Sequence, residues 1–145
     1  MLPEFPGVAT RLKHLRIAAD LKPRYLAEDI GITSGTYYDL EALDSEWRES
    51  VSIEGLHILC AQLKTKLPKL LWPKGEPRTA LPYEQLCGLI RKKLAAEQLP
   101  LEEFEDRVGY LLGPALENPA AVGKWNLECL FSVCAALGVE GSSYL

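Results

Sequence analysis

The chain has 145 residues, 48% hydrophobic and 25% charged, which is ordinary globular composition and excludes disorder, collagen and coiled-coil fibre. No apolar run approaches the roughly 18–20 residues a membrane span needs, and Met1-Leu2-Pro3-Glu4-Phe5-Pro6 lacks the cationic start of a signal peptide, so a cytoplasmic protein with no membrane partner is expected. Net charge is −4 and uneven: residues 1–78 hold 11 basic and 11 acidic side chains, residues 79–145 hold 5 and 9. A strongly basic nucleic-acid binder is thereby excluded as a description of the whole chain, though a locally basic face is not.

In chain order, Val8, Leu12, Leu15 and Ala19 recur at helical spacing and define a first helix. Pro23 suits the first turn of a second helix, and Gly31 suits the left-handed position that ends it. Thr33 or Ser34 can cap a third helix running through Leu43. Trp47 then sits in the acidic loop 44–49, either folded back onto the domain or exposed as an interface anchor. Ser52 can cap a fourth helix whose stripe is Ile53, Leu56, Cys60 and Leu63.

Residues 67–82 contain Pro68, Pro73, Pro77 and Pro82, and proline rejects helix interiors. The segment 69–80 reads as a linker between domains at 1–68 and 81–145. Its Leu70, Leu71 and Trp72 are too apolar for a free tether. Beyond it, helical periods fall near 82–97, 101–108, 111–117 and 126–138, with Trp125 entering the last of these in the core. No segment alternates with period two, so the fold is expected to be all-α.

The two halves repeat one another. At an offset of 78, Leu21, Leu26, Ile30 and Gly31 meet Leu99, Phe104, Val108 and Gly109. At 76, Leu40-Glu41 meets Leu116-Glu117; at 74, Glu54, Leu56, Cys60, Ala61 and Leu63 meet Glu128, Leu130, Cys134, Ala135 and Leu137. The second copy has lost residues at two connections.

Sites for chemistry are missing from the pattern. Cys60, Cys87, Cys129 and Cys134 form no Cys-x-x-Cys pair, each lies in an apolar helical stretch, and neither His14 nor His57 completes a zinc spacing. No nucleophile elbow and no Gly-rich phosphate loop occurs. Neither an enzyme nor a metal or cofactor is expected.

The first half resembles the lambda-repressor-like (Cro-type or XRE) helix-turn-helix family over about Val8 to Lys66. The resemblance rests on Arg11-Leu12-Lys13-His14-Leu15-Arg16, on Leu26-Ala27-Glu28-Asp29-Ile30-Gly31-Ile32-Thr33, on Thr36 to Leu40-Glu41, and on Ile53 to Ala61. The second half resembles it more weakly, from Leu86 to Val139, with Glu105 in place of small Ala27 and Gly113-Pro114 in a shortened third helix. It looks like a degenerate copy.

The resemblance implies two tandem helix-turn-helix domains and a DNA-binding transcriptional regulator. Its third helix would enter the major groove, with Ser34, Thr36, Tyr38 and Asp39 (and Gly35) facing bases. Lys22, Arg24 and Lys13, with Arg11 and Arg16, would meet phosphate. None of the base-facing candidates is Arg, Lys, Asn or Gln, the usual bidentate readers. Asp39, Glu41 and Asp44 place negative charge there, and Glu102, Glu103, Glu105 and Asp106 do so in the second copy, where Arg91-Lys92-Lys93 reads as a wet helix face. The apolar third helix of that copy, Leu111 to Leu116, points to a protein contact, whether with the first half, in a homodimer or with another protein. A second reading therefore stands beside the regulator: a protein-binding module, such as an antitoxin or an immunity protein, whose acidic surface faces a basic toxin.

Overall fold

The structure is a computed structural model that describes residues 2–145. Every regular element among them is helical, and no helix is long and apolar enough to cross a membrane. The chain divides into two compact units, Pro3–Pro77 and Arg78–Leu145.

The first unit begins with α1, Val8–Ala18, whose Val8, Ala9 and Leu12 are fully buried. No local side chain caps it; instead the Asp44 carboxylate accepts from the Gly7 N–H at 2.8 Å and the Ala9 N–H at 2.9 Å, satisfying orphan donors of the first turn from 35 and 37 residues away. The next helix, α2, spans Pro23–Asp29 with proline in the first turn, where no N–H is missed. It ends as the glycine requires: Gly31 has φ +71°, its N–H reaches Glu28 O, and the Ile32 N–H reaches back to Ala27 O.

The Thr33 hydroxyl caps α3, Ser34–Ala42, by accepting from the Thr36 N–H at 3.1 Å. The helix stops one residue before the expected end, because Leu43 is extended. Tyr37 and Leu40 point into the core, and α3 packs against both α1 and α2. The expected loop that follows is a 3₁₀ turn, Asp44–Arg48, with Trp47 folded back and fully buried; its indole N–H donates to Leu40 O at 2.9 Å. Ser52 caps α4, Ile53–Gln62, and Ile53, Leu56, Leu59 and Cys60 fill the core.

The segment read as a linker is in part a helix. Leu67–Leu71 form α5, with Leu67, Leu70 and Leu71 buried in the first unit. Pro68 sits in its first turn, where proline is tolerated, so the four-proline rule breaks down at this end. Arg11 closes its other end, donating from Nε to Leu70 O at 2.8 Å and from Nη2 to Leu71 O at 3.1 Å. Trp72 meets Phe5 edge to face at 5.5 Å between ring centroids. The boundary thus falls after Pro77, and 73–80 is the exposed stretch.

The second unit carries the same order of elements through its fourth helix, with α6 (Tyr83–Glu97), α7 (Leu101–Val108), α8 (Gly113–Glu117), a 3₁₀ turn (Pro119–Lys124) and α9 (Leu127–Leu137), and closes in a 3₁₀ turn (Gly141–Tyr144) where the first has α5. Leu86, Cys87, Ile90, Phe104, Ala115, Leu127, Leu130, Val133 and Cys134 are buried. Asn126 caps α9 as Ser52 caps α4. Gly141 lies so close to the Phe131 ring that a Cβ there would come within 2.4 Å of it. Trp125 departs from expectation: it is half-buried and extended, and stands before the Asn126 cap rather than inside the helix.

Candidate nucleic-acid interface

The face formed by α3 and its two neighbours collects the residues singled out by the sequence. Tyr38 is 57% exposed, Asp39 and Gly35 are exposed, and Ser34 and Thr36 are half-buried. The Thr36 hydroxyl is engaged locally, 3.0 Å from the Thr33 hydroxyl. Of the phosphate candidates, Lys13 is exposed on α1, and Lys22 and Arg24 are exposed at the start of α2. Arg24 lies over the Tyr25 ring at 4.9 Å and donates to the Tyr25 hydroxyl at 3.0 Å. Among the described residues no carboxylate pairs with Lys13, Lys22 or Arg24.

Arg11 and Arg16, also expected to face phosphate, are committed inward. Arg11 holds α5. Arg16 makes a bidentate pair with Glu41, Nε to Oε2 at 2.6 Å and Nη2 to Oε1 at 2.9 Å, with side chains only 15% and 6% exposed. Its hydrogen bonds to the Glu41 carboxylate hold the Arg16 guanidinium above its already high range, against the opposing effect of burial. Burial, reinforced by the neighbouring Glu41 charge, likewise pushes the Tyr37 phenol well above its usual value.

Two of the three acidic residues expected to repel a polyanion are thereby engaged within the unit. Glu41 is neutralised by Arg16, and Asp44 is turned onto the first turn of α1. Asp39 alone remains exposed among the three. Sequence reasoning missed both roles because neither partner lies within one helical turn of the other.

The second unit presents a different surface. Glu105 turns back to accept from the Leu112 N–H at 2.5 Å and the Gly113 N–H at 3.2 Å, capping α8. That explains a large residue where the first unit has Ala27: here the side chain reaches the turn instead of lying between crossing helices. Glu102, Glu103 and Asp106 stay exposed on α7, with Arg107 3.4 Å from Glu103. Leu111 is 79% exposed, the largest value among the exposed large apolar residues. The basic run 91–93 is partly engaged: Arg91 donates to Leu116 O, and Lys93 pairs with Glu97 at 2.7 Å.

All four thiols are free and buried. Burial pushes Cys60, Cys129 and Cys134 up to about 12 and raises Cys87, which donates to Ala115 O at 3.3 Å. A thiol so held is a poor nucleophile. Among the described residues no three of His, Cys, Asp and Glu gather as a metal site.

No protein-family model matches the chain, and a search of curated proteins finds no significant match.

Proposed function

We propose that the chain is a DNA-binding transcriptional regulator of the helix-turn-helix, XRE type, and that its first unit carries the binding. The supporting observation is the division of cations around α3. Arg11 and Arg16 are bound within the unit, while Lys13, Lys22 and Arg24 stand exposed and unpaired with carboxylate on the two helices that pack against α3. Such cations meet phosphate and set register, and the exposed residues of α3 read bases. Ser34 offers a hydroxyl, and Tyr38 offers a hydroxyl together with apolar surface for a thymine methyl group. The inward turn of Glu41 and Asp44 removes the strongest objection to a polyanion at this face.

A second reading, a module that binds protein, draws on α3 and its neighbour α2. Tyr38, Tyr25 and Leu43 are each half exposed or more, and no Arg, Lys, Asn or Gln projects from α3. Selection of duplexes from a random pool by mobility shift separates the two. An enriched motif whose binding is lost on Lys22→Glu, and whose preferred bases change on Tyr38→Ala, supports the regulator. No enrichment by folded protein at moderate salt overturns it in favour of the protein-binding module.

A further inference from the structure

The end of the first unit is cationic in a way that the α3 face does not use. Residues 55–75 carry Lys64, Lys66, Lys69 and Lys74 and no carboxylate. All four lysines are exposed, and among the described residues none is paired with an acid. Glu76 and Glu4 border the stretch, Glu4 next to the Phe5 ring that meets Trp72, and neither pairs with a lysine. The four lie along a short path. Lys64 and Lys66 stand in the turn between α4 and α5, Lys69 follows one helical turn beyond Lys66, and Lys74 sits in the turn that the Gly75 N–H closes on Trp72 O at 2.9 Å. Helix dipoles account for only part of this. Lys64 follows the end of α4 and Lys69 is in the last turn of α5, where cations are favoured, but Lys66 is the N-cap of α5, where they are not, and Lys74 lies outside both helices. Lys64 also holds φ +56°, the left-handed region that favours glycine, whereas α9 ends in the same region with Gly138 at φ +73°.

We propose that this lysine strip is a second nucleic-acid surface, one that holds the sugar–phosphate backbone of duplex DNA by charge and reads no bases. The occupant follows from what surrounds the lysines. Leu67, Leu70 and Leu71 are buried, and Ile58, at 39%, is the one large apolar residue of α4 and α5 left exposed. A protein interface is anchored by aromatic, Met and Arg side chains and is poor in lysine. A membrane surface takes up an apolar helix face together with its cations. A phosphate backbone needs only cations that no carboxylate already holds. The strip also faces another way than α3. Along α1, Arg11 holds α5 and Arg16 holds α3 through Glu41. Five residues at about 3.6 per turn set those two side chains about 140° apart around the helix axis. The backbone held by the strip is therefore not the stretch whose groove α3 would enter, and the strip does not depend on base reading by α3.

Fluorescence anisotropy of a labelled mixed-sequence duplex, titrated with the full chain at several salt concentrations, tests the strip without any preferred motif. The wild-type chain is expected to bind at about 50 mM salt and to lose affinity steeply toward about 200 mM. Lys64→Gln/Lys66→Gln/Lys69→Gln/Lys74→Gln removes up to four phosphate contacts. It should flatten the slope of log affinity against log salt by about 3–4, with binding about tenfold weaker or more at the lower salt. The same flattening is expected in a Lys22→Gln/Arg24→Gln background, because the two surfaces act separately. If the fourfold variant loses its helical circular dichroism, Lys66→Gln/Lys74→Gln, which leaves both helix C-termini their cations, should flatten the slope by about 2. No binding of the mixed-sequence duplex by the wild-type chain at the lower salt overturns the proposal. So does an unchanged slope in a folded lysine variant, or loss of binding to phosphatidylserine vesicles with duplex binding intact. An unchanged slope beside an enriched motif removes the strip and leaves the α3 reading standing. A flattened slope with no enriched motif supports the strip and overturns base reading by α3.

Discussion

The first and second units carry the same elements in the same order through their fourth helix but solve the same polar problems with different residues. At the close approach of α2 and α3 the first unit has Ala27; the second has Glu105 at the corresponding position and uses its carboxylate to cap α8. The first turn of α1 is capped by Asp44 from the 3₁₀ turn of its unit, whereas in the second unit Asn118, which like Leu43 ends the third helix, caps the following 3₁₀ turn at Ala120 N. The apolar positions barely change: Leu12 and Ile90, Leu26 and Phe104, Leu56 and Leu130, and Cys60 and Cys134 are all buried. A core tolerates only apolar groups of similar volume, whereas a surface charge away from such features is nearly free to change sign. The two halves accordingly differ in surface charge, one neutral and the other acidic.

The equivalence of the cores can be broken first, with the largest effect. Phe104→Ala should cost about 3–5 kcal/mol and Leu26→Ala about 2–5 kcal/mol, since each leaves a cavity in a fully buried site. Thiol distribution makes the comparison local: Cys60 alone reports on the first unit, and Cys87, Cys129 and Cys134 report on the second. Pulsed alkylation along a denaturant series, read by mass spectrometry, should show Leu26→Ala exposing Cys60 earlier and Phe104→Ala exposing the other three. Equal loss of protection at all four thiols from either substitution would show that the halves do not act as separate cores.

The Arg16–Glu41 pair has no counterpart among the ion pairs found in the second unit, where those present are exposed or half-exposed. Glu41→Gln leaves a guanidinium that is 15% exposed without its anion. The expected loss in chemical denaturation is about 3 kcal/mol, the lower end for a buried pair because some water still reaches Arg16. Arg16→Met/Glu41→Leu should recover most of it, since apolar replacement of both partners removes the stranded charge. A double variant as unstable as the single one would mean that the pair's geometry, not its charge, holds α3 to α1.

Much of this fold was legible in the sequence because its signals are local. Helical spacing located the major helices to within a few residues, and Thr33, Ser52 and Gly31 marked their ends correctly. What escaped depends on distant partners. Asp44 acts 35 and 37 residues back along the chain, Arg11 acts about 60 residues ahead on α5, and no periodicity encodes either. The helix α5 was hidden by prolines that its first turn accepts. At the candidate interface, the exposure of Lys22, Arg24, Lys13, Tyr38 and Asp39 follows from helical pattern. The inward commitment of Arg16, Glu41 and Asp44 became visible only through tertiary contacts.

A smaller effect sharpens the contrast in capping. Asp44→Ala removes the acceptor for two backbone N–H groups of α1 and should cost about 1–2 kcal/mol, while Asp44→Asn retains part of the bond. Glu105→Ala should cost about 1 kcal/mol in the second unit, because α8 is short and partly exposed. Thermal unfolding of both variants checks the order, and a larger loss at Glu105 would mean that the α8 cap anchors more of its unit than the helix itself.

The smallest expected effect distinguishes the fourth helices. His57 is half-buried on α4, and the residue 74 positions on, Phe131, carries no titratable group. Burial holds the His57 imidazole below its ordinary value of 6.5. The unfolded chain then binds a proton that the folded chain resists. Stability from this residue is fully present above the unfolded value near 6.5 and declines as pH falls toward the lower folded value. Urea midpoints measured from pH 7.5 down to pH 5 should therefore fall more steeply for the wild type than for His57→Gln, which cannot take up the proton. The difference should appear in the unfolding of the first unit, followed through Cys60, and be absent from the labelling of Cys129 and Cys134. Parallel pH profiles for wild type and His57→Gln would mean that water reaches the imidazole as freely in the folded chain as in the unfolded one.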